Sequence, residues 1–233
     1  MKFYALGLIC IFIILVICLS SSRKKTEQFE ENDQEDLPEW NNVNVNLQNV
    51  SVSGNIACGT KSDHSIHCGR MNAREWKNVP GRLKQLSVDS GRVCGVNGNN
   101  DIFCAGDAMN PQWNHIGGKL TQIDLSGNQM CGVGLNNDIY CADYNKDNWR
   151  NVPGRLRQLS ISGRNMCGVN ANDQLWCTNN TYQPEWKKVA DGLKHIDLAG
   201  SKMCGINNAN KIVCADYAQT NWTEKPGKNP KWM

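Results

Sequence analysis

Val93–Cys104 reads V-C-G-V-N-G-N-N-D-I-F-C, two cysteines ten positions apart with an Asn-rich centre. The pattern returns as M-C-G-V-G-L-N-N-D-I-Y-C at Met130–Cys141 and as M-C-G-V-N-A-N-D-Q-L-W-C at Met166–Cys177. It returns again as M-C-G-I-N-N-A-N-K-I-V-C at Met203–Cys214 and, worn down, as A-C-G-T-K-S-D-H-S-I-H-C at Ala57–Cys68. A Trp stands eighteen positions before the first Cys of each copy: Trp40, Trp76, Trp113, Trp149 and Trp186. The steps between them are 36, 37, 36 and 37 residues, the mark of a repeat architecture.

Within one unit, Trp76–Val79 is a short alternating segment ended by the turn pair Pro80-Gly81. Leu83–Asp89 alternates apolar and polar residues at period two, as a half-buried strand does. Arg92–Val96 and Asp101–Ala105 form a further hairpin about the turn Asn97–Asn100, and Gly106–Gln112 leads to the next Trp. The spacing predicts four short strands per unit, a sheet unable to bury both faces alone. Stacked radially, such sheets make an all-β propeller of five four-stranded blades, with six blades as the alternative. A sixth Trp segment, Trp222-Thr-Glu-Lys-Pro-Gly227, competes with Trp40–Val43 to complete the last blade and lock the ring.

Positions 94 and 104 fall opposite each other in a hairpin centred on Asn99. Cross-strand neighbours at a non-hydrogen-bonded site approach the separation a disulfide needs. The predicted pairs are Cys58/Cys68, Cys94/Cys104, Cys131/Cys141, Cys167/Cys177 and Cys204/Cys214, with Cys10 and Cys18 left in an apolar run. A metal site is disfavoured, since no C-x2-C knuckle is present and two thiolates do not complete a tetrahedral shell. His64 and His67 beside Cys58 and Cys68 are the only extra ligands on offer. No cofactor is expected.

Phe3–Leu19 is an unbroken apolar run with Lys2 before it and Arg23-Lys24-Lys25 after it. Its length favours a retained helical anchor over residues 1–20, with a cleaved signal peptide as the alternative. Residues 21–39 read as a charged linker and 40–233 as the propeller. The basic flank favours a cytoplasmic carboxyl side, whereas the cysteines favour an oxidising compartment. Sequons at Asn49, Asn179 and Asn221 agree with an exoplasmic or lumenal domain. A secreted protein, or a virus-membrane protein oxidised in the cytoplasm, are the other readings.

The chain carries a net charge of +3, and without the four basic and seven acidic residues ahead of Trp40 the remainder carries +6. That mild bias suits an anionic ligand and falls short of a nucleic-acid footprint. Enzymatic motifs are missing: no G-x-S-x-G, no H-E-x-x-H, no phosphate loop.

The unit W-x-x-V-P-G-x-L-x-Q-[LI]-S-[VI]-S…C-G-V-N-x-N-D-x-[IL]-[FYW] resembles the tectonin repeat of tectonins, fish-egg lectins and lipopolysaccharide-binding tachylectin-type lectins. The resemblance runs from Trp40 to about Gly227, and departs from the family where Cys94, Cys131, Cys167 and Cys204 replace a common aromatic. It implies a propeller and, often, sugar binding. Tectonin repeats also occur in scaffold proteins.

Because successive strands alternate direction, the P-G-x-L and N-x-N-D turns should emerge on one face. That face would gather Arg82, Lys119, Arg155 and Lys194 with Asn99, Asn100, Asn136, Asn137, Asn172 and Asn208. Cations beside amides suit polar, partly anionic sugars such as cell-surface or microbial glycans and lipopolysaccharide, bound at several weak sites. The plainer reading is that tight turns favour Asn and that each repeat's Trp is a packing anchor. A structural or protein-interaction propeller is the rival function.

Overall fold

The computed structural model describes residues 45–73, 75–217 and the strand 223–224. These form five four-stranded antiparallel sheets. Blade 1 holds β1 (Asn49–Ser53), β2 (Ile56–Thr60), β3 (Ser65–Arg70) and β4 (Lys77–Arg82). Blade 2 holds β5 (Gln85–Asp89), β6 (Arg92–Val96), β7 (Asp101–Ala105) and β8 (Asn114–Lys119). Blade 3 holds β9 (Gln122–Ser126), β10 (Gln129–Val133), β11 (Asp138–Asp143) and β12 (Arg150–Arg155). Blade 4 holds β13 (Gln158–Ser162), β14 (Asn165–Val169), β15 (Gln174–Thr178) and β16 (Lys187–Asp191). Blade 5 holds β17 (Leu193–Ala199), β18 (Lys202–Asn207), β19 (Ile212–Asp216) and the two-residue β20 (Thr223–Glu224). The chain is a five-bladed propeller.

Strand positions follow the sequence pattern, but the sheet boundary does not. A strand headed by Trp does not open its own blade; it is the outer strand of the blade before. Thus β4, after Trp76, pairs with β3, and Pro80-Gly81 carries the chain across to β5 in blade 2. At the carboxyl end the same rule places β20, after Trp222, on the outer edge of β19. The carboxyl-terminal Trp segment therefore completes the last blade, and Trp40 lies outside the described residues. So do the apolar run Phe3–Leu19 and the charged linker. Among the described residues no helix is long and apolar enough to cross a membrane.

All five predicted disulfides are formed, each joining the two middle strands with a Cα–Cα separation of 4.1 Å. The cysteines sit directly opposite in the register, as with Cys94 and Cys104 in β6 and β7. That separation fits the close, non-hydrogen-bonded site of an antiparallel pair. The first Cys of each pair is followed by a Gly because strand and leucine press in there: a Cβ at Gly95 would lie 2.6 Å from both the Gln85 carbonyl and the Leu83 side chain. With Cys58 and Cys68 held in a disulfide, neither is a thiolate that could join His64 and His67 at a metal.

The core lies between blades. Cys58 and Cys68 pack beneath Leu83, Leu86, Val88 and Val93 of blade 2. Cys94 and Cys104 lie beneath Leu120, Ile123, Leu125 and Met130 of blade 3. The same assembly recurs for blade 3 against blade 4 and blade 4 against blade 5. Each of these four junctions thus buries one face of a sheet against the next, which is why isolated repeats would not fold.

Inner strands are joined by side chains that imitate sheet pairing. Gln85 of β5 donates to the Ile123 carbonyl at 2.9 Å and accepts from the Ile123 amide at 2.9 Å. Gln122 treats Leu159 in the same way, as Gln158 does Ile196. A second belt runs through Ser51, Ser87, Asp124 and Ser160, which accept from the amides of Val88, Leu125, Ile161 and Leu198. A third runs through Ser53, Asp89, Ser126 and Ser162, which accept from Ser90, Gly127, Gly163 and Gly200. These bonds satisfy inner-strand amides that a radial stack would otherwise strand.

Candidate functional site

Turns of the two expected kinds do emerge together. The linker after each outer strand donates its amide to the hairpin turn of its own blade: Leu83 to His64, Leu120 to Asn100, Leu156 to Asn137 and Leu193 to Asp173. His64, Asn100, Asn137, Asp173 and Asn210 all have positive φ, near 60°. Asn100 and Asn137 are therefore explained by backbone conformation, since Asn and Asp tolerate that region best after Gly.

The four expected cations are engaged on this face. Lys119 meets Asp101 at 2.6 Å and the Asn99 carbonyl at 3.2 Å. Arg155 meets Asp138 at 3.4 Å. Arg82 donates to the Asp63 carbonyl at 2.9 Å and Lys194 to Asn210 at 2.8 Å. The hydrogen bonds from Lys119 and then Asn97 hold the Asp101 carboxyl below its ordinary range. These pairs are exposed and screened by solvent, so a ligand can displace them at small cost. Asn99, Asn136, Asn172 and Asn208 are exposed; the amides of Asn99 and Asn172 are held by Asn97 and Asn170, and that of Asn208 by the Gly192 carbonyl.

The expected residues do not converge on one point. Two of them, Lys119 and Asn136, line a cleft of about 300 Å³ between blades 2 and 3. Ile102, Gly118 and Leu120 also line it, as do Leu135, Asp138, Tyr140 and Trp149. Leu135 is 60% exposed at the tip of the blade-3 turn.

Two glycines make the room. Gly118 has φ +104 and lies flat against Trp149, where an added Cβ would be 3.2 Å from the indole nitrogen. Gly134 stands where blades 2 and 4 have Asn97 and Asn170, whose side chains fill the turn by accepting backbone amides. At Gly134 a Cβ would come within 3.0 Å of the Tyr140 ring.

Trp149 is anchored rather than free. Its indole donates to the Gly117 carbonyl at 2.6 Å, across the blade junction. Trp113 does the same to Pro80 and Trp186 to Pro153, each at 2.6 Å. The repeated Trp is thus a staple from one blade to the outer strand before it, and at the blade 2–3 junction its ring also walls the cleft. Trp76 stands at the equivalent place in blade 1; its indole nitrogen is buried without an acceptor among the described residues.

Sequence reasoning missed Tyr140, Asp138, Leu135 and Gly134. A signal existed: Gly134 breaks the Asn that other turns carry, and a missing side chain beside a conspicuous aromatic marks a gap. The sequons divide. Asn49 and Ser51 face blade 2, accepting from Leu86 at 3.4 Å and Val88 at 2.9 Å. Asn179 is exposed, with Thr181 buried against Gln129 at 3.0 Å. Asn221 lies outside the described residues. Among the described residues no cluster of His, Cys, Asp and Glu suits a metal.

The family model for the tectonin domain matches residues 21–140 and 119–233. No curated protein matches the chain. Among solved structures, human WBSCR16 is similar with a TM-score of 0.60 at 9% identity, over 79% of this chain and 68% of that one. The nidogen/laminin complex gives a TM-score of 0.63 at 15% identity, covering 75% of this chain and 77% of that chain. A YCF48 structure bound to D1 peptide gives 0.55 at 16%, over 76% and 67%. At such identities these likenesses bear on fold alone.

Proposed function

The chain belongs to the tectonin domain family, and from that membership we propose that it is a non-enzymatic, glycan-binding propeller. The observation that carries this reading is the blade 2–3 cleft, whose lining combines the aromatic rings of Tyr140 and Trp149 with the polar side chains of Lys119, Asn136 and Asp138. Concave apolar surface with a few convergent polar groups is the general form of a small-ligand site. A pyranose ring presents an apolar face to the aromatics and hydroxyls to the rim. Lys119 adds preference for acidic sugars or the phosphates of lipopolysaccharide. Arg82 and Arg155, each two residues after the proline carbonyl that accepts from Trp113 or Trp186, would repeat the scheme at neighbouring junctions, so weak sites would gain by avidity on a repetitive surface.

The five disulfides point to an extracellular or lumenal setting. The apolar segment Phe3–Leu19 would tether the propeller to a membrane, with residues 21–39 as spacer.

The test is binding of the full chain to arrayed glycans and lipopolysaccharides, with free monosaccharide as competitor. Lys119→Ala and Asn136→Ala should each weaken competed binding by about tenfold, the loss of one good hydrogen bond to a charged or polar ligand. Failure of every glycan with folded, oxidised protein would transfer the cleft to a protein partner, the scaffold alternative.

A further inference from the structure

Of the acceptor motifs Asn49-Val-Ser51 and Asn179-Asn-Thr181, the fold can carry a sugar on one. Asn49 lies in β1, in the belt position that Gln85, Gln122 and Gln158 occupy in blades 2–4. Its Oδ1 accepts from the Leu86 amide at 3.4 Å, and Ser51 Oγ accepts from the Val88 amide at 2.9 Å. In blades 2–4 the side-chain nitrogen at this position donates to a carbonyl of the following inner strand. A sugar joined to the Asn49 nitrogen would therefore have to enter the contact between β1 and β5, against Leu86, which is 1% exposed.

Asn179 is placed differently. It follows β15 at the end remote from the hairpin turn Asn170–Asp173. It is exposed, and no hydrogen bond engages its side chain among the described residues. The segment around it is fixed all the same. Asn180 Oδ1 accepts from the amides of Tyr182 at 3.0 Å and Gln183 at 3.2 Å. Thr181, 0% exposed, donates to Gln129 of β10 at 3.0 Å, and its carbonyl accepts from Arg150 at 2.7 Å. The Arg150 guanidinium also stacks on the Tyr182 ring at 4.1 Å. Asn179 is thus a free side chain on a loop locked onto blade 3, a rigid attachment point open to solvent.

We propose that Asn179 carries an N-linked glycan, transferred before Thr181 docks on blade 3. The proposal rests on the lumenal setting proposed above. In the transfer, the Asn179 side-chain nitrogen bonds to the anomeric carbon of an oligosaccharide held on a lipid diphosphate. The bond from that carbon to the diphosphate oxygen breaks, the lipid diphosphate leaves, and the nitrogen gives up one proton. Nothing is oxidised or reduced. The acceptor motif includes the hydroxyl as well as the asparagine, and a hydroxyl buried against Gln129 is out of an enzyme's reach once the loop has docked. The turn residues of the cleft, Gly134, Leu135 and Asn136, lie at the opposite end of the sheets. A glycan at Asn179 therefore covers one end of blade 4 and leaves the cleft open.

The test expresses the full chain in eukaryotic cells and maps each motif peptide after N-glycosidase treatment in heavy-oxygen water, which converts a sugar-bearing Asn to labelled Asp. Label is expected at Asn179, lost in Asn179→Gln, and absent from Asn49. A second variant, Asp147→Thr, completes an acceptor motif at the exposed Asn145 and reports whether the propeller reached the lumen. Label at Asn145 without label at Asn179 overturns the site. Label at neither overturns it together with the lumenal setting, while ligand binding at the cleft is judged separately. Label at Asn49 in folded, oxidised chain overturns the selection between the two motifs. Given the transferase and lipid-linked oligosaccharide in vitro, unmodified native chain should react at Asn179 at least about tenfold more slowly than reduced, unfolded chain, because the loop must first open. Equal rates overturn the order of transfer and docking.

Discussion

The junction between blades 3 and 4 and the front of blade 5 are made from the same repeat, yet among the described residues only the first is sealed. At the sealed junction, Gln122 grips both polar groups of Leu159, Asp124 and Ser126 hold the amides of Ile161 and Gly163, and Cys131–Cys141 is wholly buried. At the front of blade 5 the disulfide and hairpin persist, but His195 and Ala199 have replaced the gripping side chains. The cysteines therefore brace a blade internally, and the Gln and Ser/Asp belts hold one blade to the next.

Replacing both members of a buried pair, Cys167→Ser with Cys177→Ser, should have the largest effect. It removes a constraint on a short loop, worth about 2–3 kcal/mol, and leaves hydroxyls in an apolar junction. The same change at Cys204 and Cys214 should cost about 2 kcal/mol or less, and denaturant unfolding measures both. Equal losses would mean that packing over the disulfide contributes nothing.

Gln158→Ala should come next, destabilising by about 1–3 kcal/mol because the Ile196 amide and carbonyl lose their partner inside a junction. His195→Ala, at the matching position on the open side, should stay within about 0.5 kcal/mol of the parent. A large loss at His195 would show that the front of blade 5 is gripped after all.

Acid should sharpen the contrast. Burial pushes the Asp124 carboxyl up to about 6, against the Ile161 amide and the Ser87 and Ser160 hydroxyls, which pull it down, while the Asp197 carboxylate adds to the rise. A group raised in the folded state contributes stability that is full below its ordinary value of 3.8 and lost as pH rises through about 6. Stability should therefore fall across that window, and Asp124→Asn should flatten it, as thermal unfolding at several pH values would show. A modest loss is expected for Trp186→Phe, which deletes the bond to Pro153 and costs about 1 kcal/mol.

Strand positions and all five disulfides were legible in the sequence because both follow from local spacing: period-two alternation and opposed cysteines leave few arrangements. Blade membership was not legible. Nothing local distinguishes an outer strand that pairs backward from one that pairs forward, and the Pro80-Gly81 turn looks alike in either case. That the two sets of turns share a face was legible through strand direction, since Lys119 and Asn136 do lie together on it. The cleft was not, because its room comes from Gly118 and Gly134, side chains that are absent. Asn100 and Asn137 stood out as candidates for a reason that backbone conformation explains.

The offset between repeat and blade also bears on how such a ring could change size over evolution. Unequal recombination that deletes or duplicates one Trp-to-Trp segment removes or adds one outer strand together with the three inner strands that follow it. The severed blades on either side then rejoin with four strands each, and no edge is orphaned. A gene built in this phase can lengthen or shorten its product by whole blades in single steps, each product still stitched to its neighbour by peptide bonds.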